Sequence, residues 1–162
     1  MIIEYVMTHG NVHAPTRANP SDAGLDVRFS PSDRESILLH PGETAVLGTG
    51  LRFGIPHGYM LEVKNRSSIA AKRQLIVGAC VIDSGYDGEV FINLHNVGKN
   101  SQLVEPGQKI AQLVMIPVVH FRAYCKRQPE LYNYPISISE RGSGALGSTD
   151  NVPEQIQLPW DI

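Results

Sequence analysis

Gly78-Ala79-Cys80-Val81-Ile82-Asp83-Ser84-Gly85-Tyr86-Asp87-Gly88-Glu89-Val90-Phe91-Ile92-Asn93-Leu94-His95-Asn96 sets two apolar, β-prone runs on either side of a turn. Ala79 to Ile82 carry no charge, and Val90, Ile92 and Leu94 alternate with Glu89, Phe91, Asn93 and His95 at the period of a half-buried strand. The pattern predicts a β-hairpin whose connection, Ser84 to Gly88, has two glycines for backbone angles that other residues avoid. Asp83 stands at the rim of that turn. Directly after four apolar residues its carboxylate is expected to be partly desolvated, which suits a group that takes a proton from water. The same residue type also caps turns through its own backbone, and the local sequence leaves both roles open.

Working outward, short alternating runs are separated by turn signals at about ten-residue intervals, the punctuation of an all-β chain. Residues 2 to 7 predict a first strand, and Leu25, Val27 and Phe29 share one face of a second. Asp26 then points to the opposite face, as an exposed strand carboxylate. Ile37 to Leu39 and Thr44 to Leu47 flank the turn Pro41-Gly42-Glu43. Leu51, Phe53 and Ile55 alternate before Pro56-His57-Gly58, and Tyr59, Leu61 and Val63 after it, which predicts another hairpin.

Asn65-Arg66-Ser67-Ser68-Ile69-Ala70-Ala71-Lys72-Arg73 predicts the one appreciable helix, with small hydroxyls at its start. Amide groups there, beside Arg66, are a candidate anion site, although Ser-Ser also serves simply to cap a helix. Lys109 to Val119 is apolar enough for a strand buried on both faces, with Gln112 as its polar exception: satisfied by neighbouring backbone, or facing a ligand. From Tyr124 to Ile138, with Pro129 and Pro135, the chain is expected to run extended over the surface like an arm. Arg141-Gly142-Ser143-Gly144-Ala145-Leu146-Gly147-Ser148-Thr149 has the composition of a backbone anion wrap and equally of a flexible tail.

The 162 residues suit one domain, long enough to bury roughly two thirds of the unfolded surface. Fourteen Lys+Arg against 16 Asp+Glu give a net charge of −2, so no basic field recruits nucleic acid. Cys80 and Cys125 form no Cys-x-x-Cys pair, which argues against a disulfide framework and for a reduced compartment. The six histidines have no helical metal spacing, so a protein-built metal cage is not expected. No segment approaches the ~20 apolar residues of a membrane span, and an intracellular, cytoplasmic location is expected.

Taken in order, Ala23-Gly24-Leu25-Asp26-Val27, Arg66-Ser67-Ser68-Ile69-Ala70, Val81-Ile82-Asp83-Ser84-Gly85-Tyr86-Asp87-Gly88, Pro106-Gly107-Gln108-Lys109-Ile110-Ala111-Gln112 and Arg141 to Thr149 resemble the five motifs of the trimeric dUTPases. The resemblance runs from about residue 2 to 149. It implies a jelly-roll-like β-barrel over residues 1–138 and a C-terminal arm over 139–162, in a homotrimer whose active sites lie at subunit contacts. It implies hydrolysis of dUTP to dUMP and pyrophosphate, which limits uracil in DNA and supplies dUMP for thymidylate synthesis. Asp83 would activate the attacking water, and Tyr86 would lie against the deoxyribose. Backbone around Cys80, Val81, Ile82 and Phe91 would pair with uracil. Arg66, Ser67, Ser68 and Gln112 would hold the phosphates, Arg141 would fork onto the γ-phosphate, and Leu146, Gly147 and Ser148 would close over the nucleotide. Mg2+ would arrive with the triphosphate, with Asp26 reaching it only through a water.

Three positions depart from the family pattern: Ser68 and Cys80, where glycine is usual, and Leu146, where Phe is usual. Residues 150–162, with Leu158 and Trp160, extend beyond the motifs and could pack on the trimer or bind a further protein. A dCTP deaminase is a related alternative, but its catalytic Glu would fall at Asn93. A nucleotide-binding regulatory trimer without turnover is the other alternative, and the complete set Asp83, Arg66, Gln112 and Arg141 speaks against it.

Overall fold

Strong alternation in the sequence becomes eleven strands in a computed structural model that describes residues 1–127. They are β1 (Glu4–Met7), β2 (Leu25–Arg28), β3 (Ile37–Leu39), β4 (Thr44–Gly48), β5 (Leu51–Gly54), β6 (Tyr59–Lys64), β7 (Leu75–Val77), β8 (Val81–Ile82), β9 (Phe91–Asn96), β10 (Gln102–Val104) and β11 (Lys109–Pro117). β7 and β10 are three residues each and, unlike β3 beside Pro41-Gly42-Glu43, are not expected from the alternation. Met1–Phe121 forms one compact unit and Arg122–Ile162 a second. The predicted boundary between 138 and 139 lies outside the described residues.

Among the described residues every ladder is antiparallel, and none joins two strands consecutive in the chain. β1 pairs with β5 and β3 with β10; a four-stranded sheet runs β2-β11-β6-β8 and a three-stranded sheet β4-β9-β7. This is an all-β, jelly-roll-like arrangement, in which each turn hands the chain from one sheet to another. Both predicted hairpins are corrected by it. The turn at Pro56-His57-Gly58 forms, with the Tyr59 amide donating to the Pro56 carbonyl at 3.2 Å, but β5 and β6 then separate into different sheets.

The central stretch behaves likewise. A strand has two edges, and those of β9 are filled by β4 and β7, so Val81–Ile82 pairs instead with Leu61 and Glu62 of β6. The β7–β9 ladder closes where the Gly78 amide donates to the Asn93 carbonyl at 2.9 Å. Residues 83 to 89, between β8 and the return of the chain to the core at Val90, are left as a loop with no ladder of their own.

The core is where the alternation puts it: Val27, Leu47, Leu51, Val90, Ile92 and Leu94 are all at most 2% exposed. β11 is bonded along both edges but is not buried on both faces, since Val114, Met115 and Ile116 stay partly exposed. A β-bulge between Lys109 and Ala111 interrupts its register with β2. The predicted helix is a single five-residue turn of π-helix, Ser68–Lys72.

Asn96, at the end of β9, is 1% exposed and fully satisfied. Its Nδ2 donates to the Leu39 and Asn100 carbonyls at 2.9 Å each, and its Oδ1 accepts the Gly98 amide at 3.0 Å. It thereby fastens β9 to the end of β3. Asn96→Ala leaves buried carbonyls without donors and should lower the unfolding free energy by roughly 2–4 kcal/mol, read from urea melts of parent and variant.

Candidate active site

The residues singled out by the sequence gather in two cavities. The first, about 230 Å³, opens between β8 and β9 and is lined by Val81, Ile82, Asp83, Tyr86, Glu89, Val90 and Phe91. It unites all the central-stretch candidates except Cys80, which is partly buried against the core and whose carbonyl accepts the Val63 amide at 2.7 Å.

Asp83 is exposed in the single chain, contrary to the expected desolvation. The apolar run before it does not bury it, because Val81 is itself 56% exposed and only two residues of the run are strand. Nor does its side chain cap the turn. Its carbonyl accepts the Tyr86 amide at 3.3 Å, while no described group bonds the carboxylate. The two glycines serve different ends. Gly85 has φ +88°, a conformation that side chains avoid, whereas Gly88 is needed for space, since a Cβ there would lie 2.4 Å from the Tyr86 hydroxyl. That hydroxyl donates to the Glu89 carbonyl at 2.8 Å.

With no ladder of its own, the loop is held by contacts that the sequence reading did not find. Arg52 pairs with the Asp87 carboxylate and donates through Nε to the Asp87 carbonyl at 2.7 Å. Ser84 Oγ donates to the Ile55 carbonyl at 3.0 Å, and the Gly50 amide donates to Glu89 Oε1 at 2.8 Å.

The second cavity, about 330 Å³, is lined by Ala18, Asp22, Ala23, Gly24, Asp26, Arg66, Ser67, Ser68 and Gln112. Here Asp26 is 8% exposed, not the exposed strand carboxylate that alternation predicts. Arg66 Nε donates to its Oδ1 and Lys109 Nζ to its Oδ2, each at 2.7 Å. Burial alone pushes the Asp26 carboxyl up, but the hydrogen bonds from Lys109 and Arg66, with their charges, outweigh it and hold the group below its ordinary value. Two cations on one carboxylate leave that cluster with a positive excess, suited to an anion.

Gln112 resolves toward backbone: its Nε2 donates to the Asn65 carbonyl at 2.8 Å. Gly24 makes room for it, since a Cβ there would lie 1.7 Å from Gln112 Oε1. Ser67 occupies the position before the short helix but makes no capping bond, so the predicted cap is absent and both serines remain exposed.

The two cavities share no lining residue. Asp26 lies on β2 and Val81 on β8, the opposite edges of one sheet, three strand spacings of about 4.8 Å apart. No group of three or more His, Cys, Asp or Glu among the described residues could hold a metal, and both Asp26 oxygens are engaged by cations. No helix among the described residues is long and apolar enough to cross a membrane. Arg141, Leu146, Gly147 and Ser148, with the rest of 139–162, lie outside the described residues.

A family model described as dUTPase matches residues 10–150. The deoxyuridine 5'-triphosphate nucleotidohydrolase of Chlamydia muridarum (strain MoPn / Nigg) is 37% identical over 137 residues, covering 83% of this chain and 89% of that protein. The enzyme of the same name from Bartonella henselae is 32% identical over 149 residues, covering 88% and 79%. Among solved structures, a mutant of the dUTPase of Staphylococcus aureus phage phi11, described with a structural Mg(II) ion, superposes with TM-score 0.71 at 25% identity, covering 79% of this chain and 98% of that one. A mutant dUTPase of Staphylococcus bacteriophage 80alpha with dUpNHpp gives TM-score 0.71 at 28% identity, covering 91% and 98%.

The Asp26 ion cluster has a signed pH dependence. A carboxyl held below its ordinary value stabilises the fold fully above about pH 4, and that contribution is lost as the pH falls through the lowered folded value. Asp26→Asn leaves Arg66 and Lys109 without their counter-charge and should cost about 2–3 kcal/mol at neutral pH. Urea melts in increasingly acid buffer should show parent and variant converging.

Proposed function

The chain belongs to the dUTPase family, and on that premise we propose that it hydrolyses dUTP to dUMP and pyrophosphate. The observation that carries the proposal is the sorting of the motif residues into two cavities of different chemistry: largely apolar with the Asp83 and Glu89 carboxylates between β8 and β9, and polar beside β2, where Arg66, Ser67, Ser68 and Gln112 gather around Asp22 and Asp26. The first suits a nucleoside next to the reacting bond and the second a triphosphate.

In this reading the uracil enters the Val81 to Phe91 cavity. The Cys80 carbonyl is committed to Val63, so the amide of that residue is the group left to meet a uracil oxygen. Val81, Ile82 and Phe91 supply further backbone and apolar surface. Tyr86 covers the deoxyribose, and its ring leaves no space for a 2′-hydroxyl, so UTP is rejected by sterics. Asp83 orients a water and takes its proton as the water oxygen bonds to the α-phosphorus; the bond to the bridging oxygen breaks, and pyrophosphate leaves with the electron pair.

Arg66, Ser67, Ser68 and Gln112 hold the phosphates, and the positive excess around Asp26 offsets their charge. The described residues do not form a metal cage, so Mg2+ comes in with the triphosphate as part of the substrate, and Asp26 meets it only through a water. The exposure of Asp83 and the separation of the two cavities support a homotrimer in which the first cavity of one subunit faces the second of its neighbour. Arg141, Leu146, Gly147 and Ser148, which the family match spans, then close over the nucleotide from an arm. Removal of dUTP limits uracil in DNA, and the dUMP formed feeds thymidylate synthesis.

Incubation with dUTP and Mg2+ should yield dUMP and pyrophosphate, and dCTP should yield no dUTP; deamination of dCTP would overturn the proposal. Asp83→Asn keeps the shape of the base but not its proton affinity. It should lower kcat about 10²- to 10⁴-fold while dUTP still binds, measured by steady-state turnover beside equilibrium binding.

A further inference from the structure

We propose that Glu89 is a positioning residue for sugar selectivity: its carboxylate, bonded to the Gly50 amide, steadies the carbonyl that grips the Tyr86 hydroxyl, and so fixes the face that Tyr86 turns to the pentose. The inference rests on the reading that Tyr86 lies against the deoxyribose.

The loop from Asp83 to Val90 makes no ladder, so the orientation of Tyr86 must come from other contacts. The ring has one polar anchor, the bond from its hydroxyl to the Glu89 carbonyl at 2.8 Å. That carbonyl belongs to the peptide joining Glu89 to Val90, and both residues dock on the turn Gly48-Thr49-Gly50. On the Val90 side, Thr49 Oγ1 donates to the Val90 carbonyl at 2.7 Å, and the Val90 amide donates to the Leu51 carbonyl at 2.8 Å. On the Glu89 side, the only anchor among the described residues is the carboxylate, which accepts the Gly50 amide at 2.8 Å.

The turn is shaped to receive that carboxylate. A Cβ at Gly48 would lie 2.7 Å from Glu89 Oε1, so that glycine leaves the slot that the side chain fills, while Gly50, whose amide the carboxylate accepts, has φ +67°, a backbone angle that suits glycine. Arg52 and Asp87 also tie the loop, but their side chains are 39% and 88% exposed, a setting in which an ion pair holds little. Glu89 is partly buried, and a charge-assisted bond to an amide there is the stronger restraint.

A ring that must exclude one hydroxyl discriminates by its position, and small displacements of such a group change rates by large factors. Glu89→Ala frees one end of the gripped peptide. The ratio of kcat/KM for dUTP over UTP should fall about tenfold or more, through a higher KM for dUTP, with kcat little changed because Asp83 is untouched. Glu89→Gln keeps an oxygen facing the Gly50 amide and should restore the parental ratio. Tyr86→Phe removes the hydroxyl that reads the carbonyl, and combined with Glu89→Ala it should lower the ratio no further than the worse single variant.

Thermal melts and sedimentation run beside the kinetics. A ratio unmoved in folded Glu89→Ala overturns the inference, as does Glu89→Gln losing as much as Ala, or additive losses in the double variant. Should Glu89→Ala not fold, Tyr86→Phe decides: a preserved ratio overturns the inference and a lowered one supports it. A parent that hydrolyses dUTP with none of these shifts defeats this inference alone, whereas a parent inert toward dUTP defeats the proposed function with it.

Discussion

The bulge in β11 is the constraint on which the ion cluster around Asp26 depends. Asp26, Gln112 and Lys64 stand in one row across β2, β11 and β6, so their side chains share a face. Continued without interruption, the same register would set Lys109 opposite Phe29 and turn it to the core, because side chains alternate with period two. One extra residue between Lys109 and Ala111 instead sets Lys109 opposite Arg28, on the face of Asp26. Ile110 and Ala111 can then both be buried while the ammonium reaches the carboxylate. The arrangement of Arg66 around Asp26 follows from that placement, since one carboxylate oxygen is taken by Lys109 and the other is left for the guanidinium.

Much of this could be read in the chain, and the limits have physical causes. Alternation identified the buried faces of β2, β5, β6 and β9 because each has one side on the core. It could not identify partners. A Pro-x-Gly turn says that the chain reverses, not that the two strands stay together, and at Pro56-His57-Gly58 they part. Asp26 looked exposed because its partners come 40 and 83 positions later, and the bulge that delivers the second has no sequence signature. Asp83 looked buried because four apolar residues precede it, but a two-residue strand at a sheet edge shields little. The grouping of Asp83 with Tyr86, and of Arg66 with Gln112, came from motif order, and the cavities agree with it.

Several glycines follow one rule that composition hides. Gly24, Gly48 and Gly88 are required not by backbone angle but by a polar side chain lying where their Cβ would be: Gln112, Glu89 and Tyr86 respectively. The first two contacts join separate segments and the third folds one loop on itself, and each involves a residue of one of the two cavities. Glycine here is the negative imprint of a neighbouring side chain, which is why reading it as a turn former captured Gly85 and missed the others.

Because none of the eleven described strands bonds to its sequence neighbour, the order in which the chain leaves the ribosome bears on its fate. β2 has no ladder partner until β11 emerges, more than 80 residues later, a delay of several seconds at translation rates of roughly 5–20 residues per second. Through most of that interval strands such as Leu25–Arg28 and Ile37–Leu39 exist with open edges, the state in which chains pair wrongly with one another. Holding nascent chains apart until Pro117 is free is therefore as much a condition of forming this barrel as the packing of its core.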